Sequence, residues 1–343
     1  MRGIALLLAT FAAAVAGGDE ATVALRVENF VVPPATGPVM HVVVQNRGPG
    51  VWRGEVEVQP PEGWRINPPA RTISLWSQET KHLAFVIEKG VNLDTNSYPI
   101  RVVARSGDQR VVRQRDVVCL SAPYFRPKID GRASEWNDAI PVAFTCKGKR
   151  TVVRTYWNRD AFAVLIEVEE DALVGYRKRP DFDAVQLAVS PREAVTSTKA
   201  SGRAERYEFL LVASASMWSG DKCFQLAKPG LRLPVTQEPR ALAPLRAKDV
   251  KVAVRRRGGV TCYECAIPFA RMPEIRPAEG REFCFSVLVH DPDGTGVRDW
   301  GEVAGLWPWQ RSRLAWSLWQ GAVWGTAAPF DNKIECGFCS SKH

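Results

Sequence analysis

Short runs of alternating apolar and polar residues dominate the first third of the chain. Examples are Val23–Val27, His41–Val44, Glu55–Val58 and Leu83–Ile87, with stretches rich in Pro, Gly or Asn between them. Because successive side chains of a β-strand point to opposite faces, this alternation is typical of strands with one buried face. Short strands separated by frequent turns predict an antiparallel β-sandwich over residues 20–120.

The N-terminus has the pattern of a cleaved signal peptide. Arg2 supplies a positive charge, an apolar run follows, and small residues end it at Ala16. This pattern predicts that residues 1–16 are removed and that the protein is secreted, periplasmic or on the cell surface. The apolar run is shorter than the ~20 residues that cross a bilayer, so we expect no membrane span. The rest of the 343-residue chain is long enough for two sandwich domains.

The composition is that of a globular protein, with 45% apolar and 24% charged residues. Basic residues exceed acidic ones by nine, and the run Arg255–Arg257 lies beside a Gly-Gly turn. We interpret this run as a solvated hairpin tip. No helix-turn-helix or aromatic RNA-binding signature is present, so we predict no nucleic-acid partner. A salt-sensitive attraction to anionic polysaccharide stays open.

Eight cysteines in a chain predicted to be exported favour disulfides. Seven lie beyond the domain junction and Cys119 lies at it, so Cys119 pairs into the second domain or one thiol is free. The pairs Cys262/Cys265 and Cys336/Cys339 also have the spacing of zinc ligands. However, residues three apart on a strand face opposite sides, which argues against Cys262 and Cys265 sharing a metal.

The second region follows a proline-containing linker, residues 121–127, and carries five motifs in order. These motifs are Ile129–Trp136, the strand pair Val152–Trp157 and Ala161–Val168, Asp183–Val189, Glu264–Phe269 and Phe283–Gly294. Together they resemble the family 9 carbohydrate-binding modules, over residues 128–325. The resemblance implies a jelly-roll-like sandwich that binds sugar without catalysis. Trp136 and Trp157 are predicted to close its two sheets, and residues 326–343 form a cysteine-containing tail.

The first region also carries a resemblance. Asn46–Gly48, Pro60–Trp64 and Asn96–Ile100 are similar to segments of the immunoglobulin-like domain found beside bacterial α-galactosidases. Such a domain implies a spacer, and we interpret Trp64 as part of its core. The predicted fold class is therefore all-β, with two β-sandwich domains.

The family resemblance also implies where a sugar is held. Sugar-binding members place a terminal sugar between two tryptophans, with a strand glutamate as a polar contact. Here Pro180 stands at the first tryptophan and Gln186 at the glutamate, although Gln186 still donates and accepts hydrogen bonds. The candidate aromatic contacts, whose faces cover the apolar side of a sugar ring, are Trp307 or Trp309 and, in place of the first tryptophan, Tyr176 or Phe182.

An acidic turn near the end of the second region is a candidate calcium site. Asp291 and Asp293 lie beside Gly294, with Asp299 nearby. Carboxylate oxygens suit calcium, and the family resemblance implies structural calcium, although a solvated acidic turn explains the residues equally well. We expect no catalytic residues, because no Ser-His-Asp order, nucleophile elbow or phosphate-binding loop occurs.

The predicted function is that of a secreted accessory protein that holds a polysaccharide or glycan, beside a separate glycoside hydrolase or a cell-surface complex. Because Pro180 and Gln186 depart from the family pattern, the alternative is a structural or adhesion protein without a working sugar site. A third hypothesis is a haem-binding sandwich, for which Met217, Met272 and His290 are the available donors. No Cys-x-x-Cys-His attachment motif supports it.

Overall fold

The computed structural model of the chain describes residues 22–177, 182–191, 206–216, 220–232, 238–300, 316–320 and 337–339. Antiparallel strands build four sheets that form two β-sandwiches, which confirms the predicted all-β class. Short 3-10 turns lie at Pro34–Thr36, Ala133–Glu135, Ala243–Leu245 and Phe269–Arg271. Within these ranges no helix is long and apolar enough to cross a membrane.

The first sandwich contains eight strands. They are β1 (Val23–Val27), β2 (Val39–Asn46), β3 (Trp52–Gln59), β4 (Arg65–Asn67), β5 (Ala70–Leu75), β6 (Thr80–Lys89), β7 (Tyr98–Ser106) and β8 (Gln109–Val117). One sheet has the order β1-β2-β6-β4 and the other β5-β3-β7-β8. At one end of the core the Trp64 ring lies 6.2 Å from Phe30 and 5.4 Å from Tyr98, which confirms that Trp64 belongs to the core.

The second sandwich contains eleven described strands. They are β9 (Val142–Cys146), β10 (Lys149–Trp157), β11 (Ala161–Glu169), β12 (Ala184–Pro191), β13 (Tyr207–Val212), β14 (Lys222–Ala227), β15 (Lys251–Arg257), β16 (Val260–Pro268), β17 (Glu282–Asp291), β18 (Gly296–Asp299) and β19 (Gly337–Cys339). A five-stranded sheet has the order β15-β16-β11-β10-β9. A six-stranded sheet has the order β14-β13-β12-β17-β18, with β19 also paired to β17.

The two predicted tryptophan anchors of this sandwich lie on different faces of one sheet. Trp157 packs in the core between the sheets, as expected. Trp136 does not: it stacks on Tyr156 at a centroid distance of 4.9 Å, on the outside of the five-stranded sheet. The physical reason is the strand period of two, which sends Tyr156 and Trp157 to opposite faces of β10.

Glu264 explains why the first and fourth sequence motifs occur together. Its buried carboxylate accepts hydrogen bonds from the backbone N–H of Asp130 (2.7 Å) and of Gly131 (2.6 Å). It also accepts one from the indole N–H of Trp136 at 2.8 Å. Gly131 has a φ of 80°, and a Cβ there would lie 2.3 Å from Cγ of Arg255. The two motifs therefore determine the fold, because they fasten residues 130–136 to the five-stranded sheet.

The two sandwiches meet at a joint built from backbone and one amide side chain. Phe30 and Cys119 form a parallel bridge, in which the N–H of Phe30 donates to Val118 and the N–H of Leu120 to Phe30. The Asn96 side chain donates to the carbonyls of Cys119 (2.9 Å) and Pro141 (2.8 Å). Asn96 thus ties the end of the first sandwich, at Cys119, directly to Pro141 of the second region.

No disulfide links the cysteines that the structure describes, and Cys146, Cys223, Cys262 and Cys265 carry free thiols. Cys265 lies in the inter-sheet core, whereas Cys262 packs on the outside of the same sheet. Their opposite orientation agrees with the argument against a shared metal. Cys336 and the side chain of Cys339 lie outside the described residues.

Candidate functional site

The outer face of the six-stranded sheet, which points away from the five-stranded sheet, carries the first cluster of candidate residues. On β12, Val185, Leu187 and Val189 point into the inter-sheet core. Gln186 points to the outer face, between the small residues Ala184 and Ala188. The gaps beside these alanines admit large side chains, and Trp319 and Trp316 pack there.

Gln186 is the centre of a buried polar network on this face. Its amide nitrogen donates to a carboxylate oxygen of Glu208 (2.8 Å) and to the carbonyl of Ser317 (3.2 Å). Its amide oxygen lies 3.0 Å from Nε2 of His290 and accepts from the indole N–H of Trp319 at 3.3 Å. Burial lowers the pKa of His290 to about 3, so its imidazole is neutral near pH 7. The network therefore fastens residues 316–320 to the sheet.

An aromatic cluster adjoins this network. The Phe182 ring lies 5.0 Å from Tyr176 and 5.1 Å from Trp319, and Phe224 lies 5.4 Å from Tyr176. Phe182 and Trp319 are buried, whereas Tyr176 is half-buried, with the Lys222 ammonium 5.2 Å from its ring centroid.

The structure thus brings three of the predicted contacts, Tyr176, Phe182 and Gln186, to one face. Among these three, Tyr176 is the one that reaches solvent. Trp307, Trp309 and Pro180 lie outside the described residues.

Two residues of this face were missed by the sequence analysis. Glu208 is buried and accepts from Arg206 at 3.0 Å as well as from Gln186, and the Arg206 guanidinium lies 5.0 Å from the Trp316 ring centroid. A signal for Glu208 existed, since a charged residue interrupts the apolar run Tyr207–Val212. A buried charge of this kind requires a partner.

A second cluster lies where β12 begins and β17 ends. Ligand atoms of Asp183, Asp291 and Asp293 all lie within 4.8 Å of one another. Asp183 is buried; one of its oxygens accepts the backbone N–H of Val174, and the other, Oδ1, has no hydrogen-bond partner among the described residues. Asp291 accepts from the backbone N–H (3.0 Å) and hydroxyl (2.8 Å) of Thr295. The predicted Asp299 is not part of this group, and Asp183 takes its place.

The charge around this cluster is unbalanced. Behind it lies the buried carboxyl of Glu170, and Arg298 is the buried cation beside Asp291, with Nη2 3.3 Å from Oδ2. Burial raises the pKa of Glu170 to about 8 and that of Asp183 to about 7, with nearby carboxylates adding to both shifts. Removal of these carboxyls from water thus opposes their ionisation, and a bound cation would offset this effect.

The residues present fit a calcium ion. Asp183 Oδ1 is an unpaired buried oxygen, Asp291 and Asp293 supply two further carboxylates, and all are the hard ligands that calcium prefers. Gly294 keeps the turn open, because a Cβ there would lie 2.6 Å from Asp291 Oδ1. The described residues would thus contribute three ligands, and water or carbonyl oxygens would have to complete the shell of a calcium ion.

Among the residues that the structure describes, the candidate haem donors do not come together as a ligand pair. Met272 is buried in the inter-sheet core, whereas His290 lies on the outer face against Trp319, 5.2 Å between ring centroids. The sheet therefore separates these two donors. Met217 lies outside the described residues.

No protein-family model and no curated protein matches the sequence. Among solved structures, a family 9 carbohydrate-binding module from Caldicellulosiruptor kristjanssonii in complex with cellotriose is 14% identical, with a TM-score of 0.35. The match covers 50% of this chain and 76% of that chain. The Escherichia coli chaperone DraB is 11% identical, with a TM-score of 0.23 over 60% of this chain and 97% of its own. Invasin, a bacterial integrin-binding protein, is 9% identical, with a TM-score of 0.21 over 80% of this chain and 58% of its own.

Proposed function

We propose that the protein is an exported, non-catalytic carbohydrate-binding protein whose second sandwich holds a polysaccharide or glycan. The observation that supports this is the outer face of the six-stranded sheet, where Tyr176, Phe182 and Trp319 adjoin the hydrogen-bonding side chain of Gln186. Aromatic rings beside amides are the chemistry that sugar rings require. Residues 301–315, which contain Trp307 and Trp309, directly precede Trp316 in the sequence.

In this proposal the half-buried Tyr176 ring, together with Trp307 or Trp309, contacts the sugar. The buried polar network of Gln186 supports this site without contacting the sugar, because it holds residues 316–320 on the sheet. The first sandwich serves as an immunoglobulin-like spacer. A separate glycoside hydrolase or cell-surface complex is the partner that such an accessory protein serves.

Affinity electrophoresis against a panel of soluble polysaccharides, followed by calorimetry with oligosaccharides, tests the proposal. We expect Tyr176→Ala, Trp307→Ala or Trp309→Ala to weaken binding about 5- to 30-fold, since loss of a stacking ring costs on the order of 1–2 kcal/mol. Phe125→Ala is the control, because Phe125 is an exposed aromatic residue outside this cluster. No retardation of the wild-type protein on any polysaccharide would exclude the function.

A second candidate function is that of a structural or adhesion protein. It is favoured by Gln186, which is fully buried and directs all its hydrogen bonds to protein groups. In that case the only role of the network is to hold residues 316–320 on the sheet. The two candidates separate in the same experiment, because a structural protein retains its fold but shows no retardation.

A further inference from the structure

The first sandwich exposes one tryptophan on a strongly braced turn. Trp76 is 72% exposed, whereas the next most exposed large apolar side chain that the structure describes, Val91, is 50% exposed. Trp76 directly follows β5, in the turn Leu75–Glu79, which we call the Trp76 turn. Val51 is also exposed and directly precedes Trp52, which pairs with Leu75. Because β3 and β5 are antiparallel, Val51 lies next to Trp76.

Hydrogen bonds hold the backbone beneath the indole. The N–H of Trp76 donates to the Glu79 carboxylate at 2.6 Å, and the N–H of Glu79 donates back to the Trp76 carbonyl at 3.0 Å. The Asn46 amide donates to the carbonyls of Leu75, Trp76 and Gly50 at 3.1, 3.1 and 2.7 Å. The backbone of this turn is thus fixed while its largest side chain lies in water.

Side chains of the turn add a second layer of bracing. The Ser77 hydroxyl donates to the Gly48 carbonyl (2.8 Å), and the Gln78 amide donates to the Arg47 carbonyl (3.1 Å). These bonds join the Trp76 turn to the neighbouring loop, residues 46–50. Because the backbone beneath the indole is already fixed, a ligand that stacks on the ring has only the side-chain rotamer left to order, which is a partly preorganised contact.

We infer that Trp76 is a stacking platform for a pyranose ring of a polysaccharide, separate from the site on the second sandwich. The apolar surface is one indole and one valine, far below the ~800 Å² per partner that a stable protein interface buries. This apolar surface is also much smaller than the apolar face with which an amphipathic helix binds a membrane. A single exposed indole instead matches the area of one sugar ring. This inference rests on the proposed function, because the second sandwich supplies the other point of attachment.

The two points of attachment lie at a distance from each other. The Trp76 turn is at the end of the first sandwich where β1 begins, since the N–H of Arg47 donates to Thr22. The second sandwich joins the opposite end, at Phe30, Asn96 and Cys119. Strand β2 spans about 23 Å between these ends at ~3.3 Å per residue. A long polymer can therefore engage both points, and a trisaccharide cannot.

The experiment compares binding of the full chain to polymers and to trisaccharides. The probes are hydroxyethylcellulose, xylan and galactomannan, each beside the trisaccharide of its own backbone. We expect Trp76→Ala to weaken retardation by the recognised polymer about 100-fold, the lower end of the gain that a second linked contact gives. Trisaccharide affinity at the second sandwich stays within about twofold, because a linked contact acts only on a ligand that reaches both points. Val91→Ala is the matched control, and Trp76→Tyr, which keeps a ring, retains most of the affinity.

Each outcome supports or overturns the inference. Equal polymer affinity of wild-type and Trp76→Ala protein overturns it and leaves the proposed function intact. Polymer binding that depends on Trp76 but not on Tyr176, Trp307 or Trp309 supports the stacking role of Trp76 and overturns the second sandwich as the sugar site. Failure of the wild-type protein to bind any polymer overturns both. A loss of self-association in Trp76→Ala, measured by sedimentation without a change in retardation, assigns Trp76 to a protein contact and overturns the inference.

Discussion

Replacement of Glu264 by alanine removes the acceptor of three hydrogen bonds at once. Two of the donors, the Gly131 N–H and the Trp136 indole, are buried, and the third, from Asp130, is half-buried. A buried donor left without an acceptor costs ~1–3 kcal/mol. Desolvation raises the pKa of Glu264, so removal of the carboxyl recovers part of this cost. We therefore expect Glu264→Ala to lower the free energy of unfolding of the second sandwich by about 3–5 kcal/mol.

Urea unfolding followed by tryptophan fluorescence measures this change, and amide hydrogen exchange at Asp130 and Gly131 locates it. Glu169→Ala is the matched control: its exposed carboxylate accepts one hydrogen bond, from the backbone N–H of Arg150 at 2.9 Å. We expect this control to lose less than about 1 kcal/mol. If Glu264→Ala and Glu169→Ala lowered stability equally, the clamp between the two motifs would not hold the segment, and our explanation of their co-occurrence would be refuted.

Two further predictions concern the acidic cluster and the thiols. Because the pKa values of Asp183 and Glu170 are raised to about 7 and about 8, their contribution to stability is present below about pH 4 and is lost as the pH rises to about 8. A calcium ion in this cluster would bind the ionised form, so added calcium should raise the unfolding temperature more at about pH 8 than at about pH 5, and Asp183→Asn should abolish this rise. Burial raises the pKa of Cys262 to about 11 and also raises that of the fully buried Cys265, so alkylation of the native protein near pH 8 should be slow at Cys262 and absent at Cys265, as mass spectrometry can show.

The sequence predicted the strands because their alternation is a local property. It also brought Asp291 and Asp293 together, since they share one turn. It did not place Asp183 beside them, because that contact depends on the pairing of β12 with β17. Likewise, the prediction that Trp136 closes the two sheets was wrong, since a large apolar side chain can be buried on the outer face of a sheet as well as between the sheets. Tyr176, Phe182 and Gln186 were found through motif order, whereas Glu208 required its hydrogen bonds to be seen.

The joint between the sandwiches bears on how the molecule responds to tension. Tension between the two domains would pull residue 120 and the following chain away from the first sandwich. The two backbone hydrogen bonds between Phe30 and residues 118–120 are neighbours in one short parallel bridge, and the Asn96 amide adds its own. A pull would load these bonds in shear, so that they must break together. The joint should therefore resist extension more than a flexible linker does.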